Sequence, residues 1–126
     1  MQLLRVLTIG VAVLAGACSQ GYGTGDGYGC VPTATKVCMA NYTFTPVTLS
    51  VNSGTAVTWQ NGSGTTHSAT SDPVNPAGCP TFDLDVPAGG TSSAVFFNQS
   101  AVSCHYYCKH HATADAGTMR ATIAVK

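Results

Sequence analysis

The sequence predicts an all-β domain built as a two-sheet sandwich of about seven to eight strands, and three observations carry that expectation. Apolar residues recur at every second position in short runs: Val47, Leu49 and Val51, then Val57 and Trp59, then Met119, Ala121, Ile123 and Val125. Period two marks strands with one face buried and the other solvated. Asn52-Ser53-Gly54, Asn61-Gly62-Ser63-Gly64 and Pro87-Ala88-Gly89-Gly90 separate the runs and supply turn chemistry. From Cys18 onward, no ten-residue stretch carries an apolar stripe at helical spacing. About seven short strands in about ninety residues is the sandwich pattern.

The chain opens with a leader rather than with that domain. Residues 1–17 read MQLLRVLTIGVAVLAGA: one Arg, an apolar stretch too short to span a bilayer comfortably, then small residues. This is the layout of a secretory signal. Its end, Leu14-Ala15-Gly16-Ala17-Cys18, resembles a bacterial lipobox, which implies a lipid on Cys18 as the mature N-terminus. The alternative is an ordinary cleaved signal. Residues 18–34 follow as a tether, Gly-rich through Gly29, with too little apolar surface to fold alone. The domain is expected over 35–126.

Its strands are expected at about 35–43, 46–52, 55–60, 65–70, 91–97, 102–108 and 119–125. The second, third and last rest on the alternations above. The first carries Val37 and Cys38, and the fourth follows a Gly-rich turn and includes His67. In the sixth, Cys104, Tyr106 and Cys108 share one face while His105 lies on the other, exposed. Phe44, Trp59, Phe96 and Tyr106 alternate with polar neighbours and are expected in the core. Asp83 and Asp85 sit beside a Pro-Gly turn and read as solvated.

Charge excludes several partners. Four basic residues (Lys36, Lys109, Arg120, Lys126) and five acidic ones (Asp26, Asp72, Asp83, Asp85, Asp115) are spread over Cys18–Lys126. Nucleic acid and anionic membrane surfaces both demand clustered Lys and Arg, which this chain lacks. The expected membrane contact is therefore only the lipid on Cys18.

Ligand-type side chains concentrate in Cys104-His105-Tyr106-Tyr107-Cys108-Lys109-His110-His111, followed by Met119. Every histidine except His67 lies in those eight residues. A thiolate, imidazoles and a thioether suit a soft or borderline metal, and two imidazoles with one thiolate and a weak axial Met define blue copper.

At these residues a family resemblance becomes specific. Phe44 through Asn61 and then His67 resembles the first half of a plastocyanin-like cupredoxin. Tyr106-Tyr107-Cys108-Lys109-His110-His111 through Met119 to Val125 resembles its copper loop and last strand. The resemblance covers about Val37–Lys126 and implies a Greek-key β-sandwich holding one copper per chain. It also implies the ligands: His67 upstream, Cys108 as thiolate, His111 as second imidazole and Met119 as axial thioether. One departure stands out. Seven residues, Ala112–Thr118, separate His111 from Met119, where the family usually has two to four. The loop must bulge, with Gly117 as its turning point, and this leaves open both the reach of Met119 and the choice between His110 and His111.

Cys30, Cys38, Cys79 and Cys104 then remain, which in an exported chain reads as two disulfides with three possible connectivities. Asn41, Asn61 and Asn98 begin glycosylation-like triplets, incidental if the lipobox marks a bacterium. The resulting expectation is a type 1 copper protein, not an enzyme, shuttling single electrons between partner proteins. His111 would be the exit, set among Ala112, Ala114, Ala116 and Gly117. It would reside in the periplasm or cell envelope, with Ser19 hinting at the outer membrane. Two rivals are a copper-delivery module using the adjacent imidazoles, and a binuclear purple copper centre using the Cys104-x-x-x-Cys108 spacing.

Overall fold

A computed structural model describes residues 28–40, 42–112 and 117–126. The leader at 1–17, Cys18, the tether as far as residue 27, and Ala114 and Ala116 of the loop lie outside the described residues.

The described residues form nine strands. They are β1 Lys36–Ala40, β2 Thr43–Thr45, β3 Thr48–Val51, β4 Thr55–Asn61, β5 His67–Ser71, β6 Asp83–Val86, β7 Val95–Phe97, β8 Val102–Tyr107 and β9 Arg120–Val125. A four-stranded sheet runs β2-β1-β4-β7 and a five-stranded sheet runs β3-β9-β8-β5-β6. Both are mixed: β1 lies parallel to β4 and β3 parallel to β9, the other pairs being antiparallel. The all-β sandwich expected from the alternation is therefore the observed fold.

Two strands depart from the expectation. The run expected at 35–43 ends at Ala40 and doubles back as β2, with Ala40 opposite Thr43. Asn-Tyr is not the Asn-Gly pair that announces a two-residue hairpin, so nothing in the alternation flags the reversal. The strand β6 has no counterpart in the expectation. Asp83 and Asp85 are exposed, as anticipated, but they are the outward residues of an edge strand whose Val86 is buried. Charges on an edge strand discourage pairing with other chains, and they also hide the strand from a search for apolar alternation.

The core lies between the sheets. Trp59, Phe44, Phe97, Tyr106, Met39, Met119 and Ile123 are each below 2 % exposed. The Tyr106 ring packs edge-on against Phe44 at 4.7 Å and Trp59 at 5.4 Å, and Trp59 lies 5.2 Å from Phe82. The Trp59 indole nitrogen and Tyr106 hydroxyl are buried without closing a hydrogen bond. Burial pushes the phenol pKa up, and the proximity of Trp59 offsets only part of that. One core assignment is corrected: Phe96 is 60 % exposed, and its neighbour Phe97 fills the core. On β7 the alternation is offset by one residue, which sends Phe96 to the outer face. Val47, one residue before β3, is likewise exposed, while Leu49 and Val51 are buried.

The four cysteines pair as Cys30–Cys38 and Cys79–Cys104. The first holds the entering chain against β1, ahead of the expected domain start at 35. The second fastens the long β5–β6 connection to β8, where Asn75 also brackets the His105 backbone, accepting from its N–H and donating to its carbonyl. Each bridge is worth about 2–4 kcal/mol to a domain this small.

Near the end of β8, Lys109 bridges Asp83 at 2.8 Å and Asp85 at 3.2 Å, and His110 Nε2 lies 2.8 Å from Asp85. Hydrogen bonds from Lys109 and Thr70 hold the Asp83 carboxyl below its usual range, and those from His110 and Lys109 do so for Asp85. A lowered carboxyl contributes stability above its ordinary pKa of 3.8 and loses it as pH falls through the folded value.

Metal-free Lys109→Met should therefore show a shallower loss of stability between about pH 4 and pH 2 than the parent chain, the difference vanishing near 1 M salt. Denaturant titrations across that range measure it. The same experiment at neutral pH separates the two phenylalanines: Phe97→Ala should cost about 3–5 kcal/mol and Phe96→Ala less than about 1 kcal/mol.

Candidate metal centre

Three connections of the sandwich converge at one end. β4 ends at Asn61, whose side-chain amide donates to the carbonyls of Thr65 (2.7 Å) and Val86 (2.9 Å) and whose Oδ1 accepts from Ser63 N–H. Those bonds hold the Gly62–Thr66 turn and so fix where β5 starts. His67 is the first residue of β5, paired with Val86, and is 1 % exposed. A side chain at a sheet end clamped this way has little freedom to swing.

Cys108 follows the last residue of β8 and is fully buried with a free thiol. Its N–H donates to the Met119 carbonyl at 3.0 Å, and its carbonyl accepts from the N–H groups of His111 and Ala112. This tight turn swings His111 back over the cysteine. Beyond it, Ala112 and Gly117 pair as an isolated bridge, with φ of +117° at Gly117. A Cβ on Gly117 would fall 2.6 Å from Ala112, so only glycine closes the loop there. The seven-residue connection is thus pinched near its base, and Met119 returns beside Cys108. Met119 is fully buried one residue before β9.

The outcome is a cluster of His67, Cys108 and His111 whose ligand atoms all lie within 4.8 Å of one another. His67 Nδ1 and His111 Nδ1 are 3.1 Å apart, and the Cys108 sulfur lies 3.3 Å from His111 Nδ1 and 3.7 Å from His67 Nδ1. The point equidistant from these three atoms is about 2.0 Å from each, close to the ~2.0–2.1 Å of a zinc–imidazole bond and the ~2.3 Å of a zinc–thiolate bond, so the space suits a first-row metal ion. The donor set is the two-imidazole, one-thiolate set of a blue copper site. The residues present fit a single copper ion.

His110 is not in the cluster. Its ring turns to Asp85, 6.3 Å from that of His111. His105 is exposed, as expected, with Nδ1 2.9 Å from the Thr122 hydroxyl. Cys104 is bonded to Cys79, so its sulfur is not available as the second thiolate of a binuclear centre.

Two contributors carry no mark in the sequence. The backbone N–H of Ser68 donates to the Cys108 sulfur at 3.2 Å, and the Ser68 hydroxyl accepts from Lys109 N–H at 2.9 Å. Hydrogen bonding to a coordinating sulfur tunes the metal–thiolate bond, but a backbone amide carries no residue signature. Tyr42 lies against both imidazoles, its ring centre 4.6 Å from that of His111 and 6.1 Å from that of His67. In the sequence it stands out only as the middle of a glycosylation-like triplet.

Comparison with known proteins agrees with this geometry. Residues 31–126 match the family of copper binding proteins described as plastocyanin/azurin. Among solved structures, a purple cupredoxin from Nitrosopumilus maritimus is similar with a TM-score of 0.59 and 21% identity, over 73% of this chain and 99% of that one. A proline-to-glycine mutant of amicyanin in its reduced Cu(I) form is similar at 0.58 and 19% identity, over 77% and 86%. A copper-containing nitrite reductase from Thermus scotoductus SA-01 is similar at 0.61 and 20% identity, with 78% of this chain but 23% of that one covered. No curated protein matches the chain. The matched span takes in both sheets and the three converging ligand atoms, and the chain belongs to the copper-binding plastocyanin/azurin family, carrying one copper per chain.

Proposed function

We propose that this protein is a type 1 copper electron carrier in which His67 Nδ1, Cys108 Sγ and His111 Nδ1 would hold the metal and the Met119 thioether would be a further, weaker ligand. The observation that carries the reading is the triangle of 3.1, 3.3 and 3.7 Å drawn by donors from two separate connections of the sandwich. Held there, copper would supply one-electron chemistry between Cu(I) and Cu(II). The chain supplies a frame that keeps the three donors in place in either state. His67 is locked at the head of β5, Cys108 at the end of β8, and His111 in the turn between them and the pinched loop. Burial of Cys108 and His67 keeps water from the sulfur, while half-buried His111 reaches the surface as the electron port.

A carrier is favoured over an enzyme because one group of three or more His, Cys, Asp or Glu side chains with metal-ligand spacing occurs among the described residues. The likeness to a nitrite reductase concerns under a quarter of that protein and supports the fold. The delivery reading loses its motive, since His110 is engaged by Asp85 rather than standing beside the donors.

The same reading places the protein in the cell envelope, exported on residues 1–17 and held to a membrane by a lipid on Cys18, with redox proteins as partners. Two disulfides support an oxidising compartment. Sparse, balanced charge suits brief encounters without strong electrostatic steering.

The copper-loaded protein should show an intense absorption band near about 600 nm, reversibly bleached by reductant. Cys108→Ser should abolish it. Met119→Leu should retain the band and raise the reduction potential, because removing the thioether weakens a donor that favours Cu(II). A colourless site that exchanges Cu(I) without reversible oxidation would instead establish the delivery role. In the full chain, Cys18→Ala should move the protein from the membrane fraction to the soluble one.

A further inference from the structure

Tyr42 occupies a backbone conformation that its side chain disfavours. Its φ is +60°, a left-handed geometry that is rare for a bulky residue and costs Asn or Gly far less. The register sets this requirement: with Ala40 opposite Thr43, two residues connect β1 and β2, and hairpins of that length are built on positive φ. The Thr43 hydroxyl steadies the turn by donating to the Ala40 carbonyl at 2.8 Å.

The ring gains little from burial in return, being 52 % exposed. What it does contact is the metal centre: it meets the His111 ring edge-on at 79° and the His67 ring at 88°. His111 is the donor most in need of such a brace. His67 and Cys108 are buried and held at strand ends, whereas His111 is half-buried on a turn ahead of the loop. An aromatic side chain held in a disfavoured conformation, half in water, and against both imidazoles is placed for function rather than for packing.

We infer that Tyr42 is a positioning residue of the metal centre, bracing the His111 imidazole from the β1–β2 turn so that Nδ1 stays aimed at the point shared with Cys108 and His67. The inference rests on the reading of His111 as a copper ligand. Its physical content is that an edge-on aromatic pair limits the rotation of a side chain that the backbone alone leaves loose.

The test is Tyr42→Asn beside Tyr42→Phe in the full chain. Asn accepts the left-handed turn, so the metal-free protein should unfold at the same or a higher temperature than the parent. Cu(I) competition with a chromogenic chelator should nevertheless show binding weakened about two- to tenfold, the worth of one aromatic pair. Phe should restore affinity to within about twofold. In metal-free protein, the His111 imidazole signals in long-range proton–nitrogen spectra should broaden in the Asn variant and stay sharp with Phe. Unchanged affinity and unchanged His111 signals in the Asn variant would overturn the inference, as would an affinity loss matched by an equal loss of metal-free stability. If the parent itself lacks the thiolate–copper band, the ligand reading fails; if the parent has it and Asn changes nothing, only the role of Tyr42 fails.

Discussion

Everything at the metal end depends on how Cys108 is tied to the strands on either side. Its N–H is bonded to the Met119 carbonyl ahead of β9, and its sulfur receives the Ser68 N–H from β5. The next residue repeats the tie, since the Lys109 N–H donates to the Ser68 hydroxyl. β8 therefore cannot shift against β5 or β9 without breaking bonds in a buried region, where an unmade bond costs about 1–3 kcal/mol. A thiolate ligand needs this restraint. A sulfur free to move by a few tenths of an ångström would relax differently around each oxidation state and slow electron exchange.

The Cys79–Cys104 disulfide and the aromatic core act at a distance on the same restraint. Cys104 and Tyr106 share the inner face of β8 with Cys108, and each is fixed, one by Cys79 and the other by Phe44, Trp59 and Phe82. The strand leading to Cys108 is thus pinned at the two inward positions nearest that residue. That arrangement also settles the chemistry of the Cys-x-x-x-Cys spacing. The same alternation that aims Cys108 inward aims Cys104 inward, two side chains earlier, into covalent reach of the β5–β6 connection rather than of a metal.

Much of this was legible in the chain because it rests on side-chain type and period. Alternation around Trp59, Tyr106 and Ile123 announces the sandwich, and the run from Cys108 to His111 announces a thiolate–imidazole site. What stays hidden is carried by the backbone or by charge. The edge strand β6 displays two aspartates and little apolar rhythm. The β1–β2 reversal uses Asn-Tyr in place of a glycine signal. On β7, two adjacent phenylalanines offer either register, and only the pairing of Thr55 with Phe97 decides that Phe97 faces the core. The amide of Ser68 has no sequence signature. Such features follow from the assembled sheets, so a reading that treats each strand alone has no access to them.

The loop between His111 and Met119 shows how a departure in length can leave a site intact. Lengthening a flexible connection is entropically mild, since doubling a loop costs only about 0.6 kcal/mol in closure. What threatens a metal site is slack, because the extra residues could let the second imidazole and the last strand drift apart. The Ala112–Gly117 bridge removes the slack at its source by closing the insertion upon itself before it reaches either ligand-bearing segment. Seen from Cys108, the effective connection is then the tight turn on one side and the Met119 carbonyl bond on the other. The distances within the site are thereby set by the sheets and by the bonds of Cys108, not by the length of the connection.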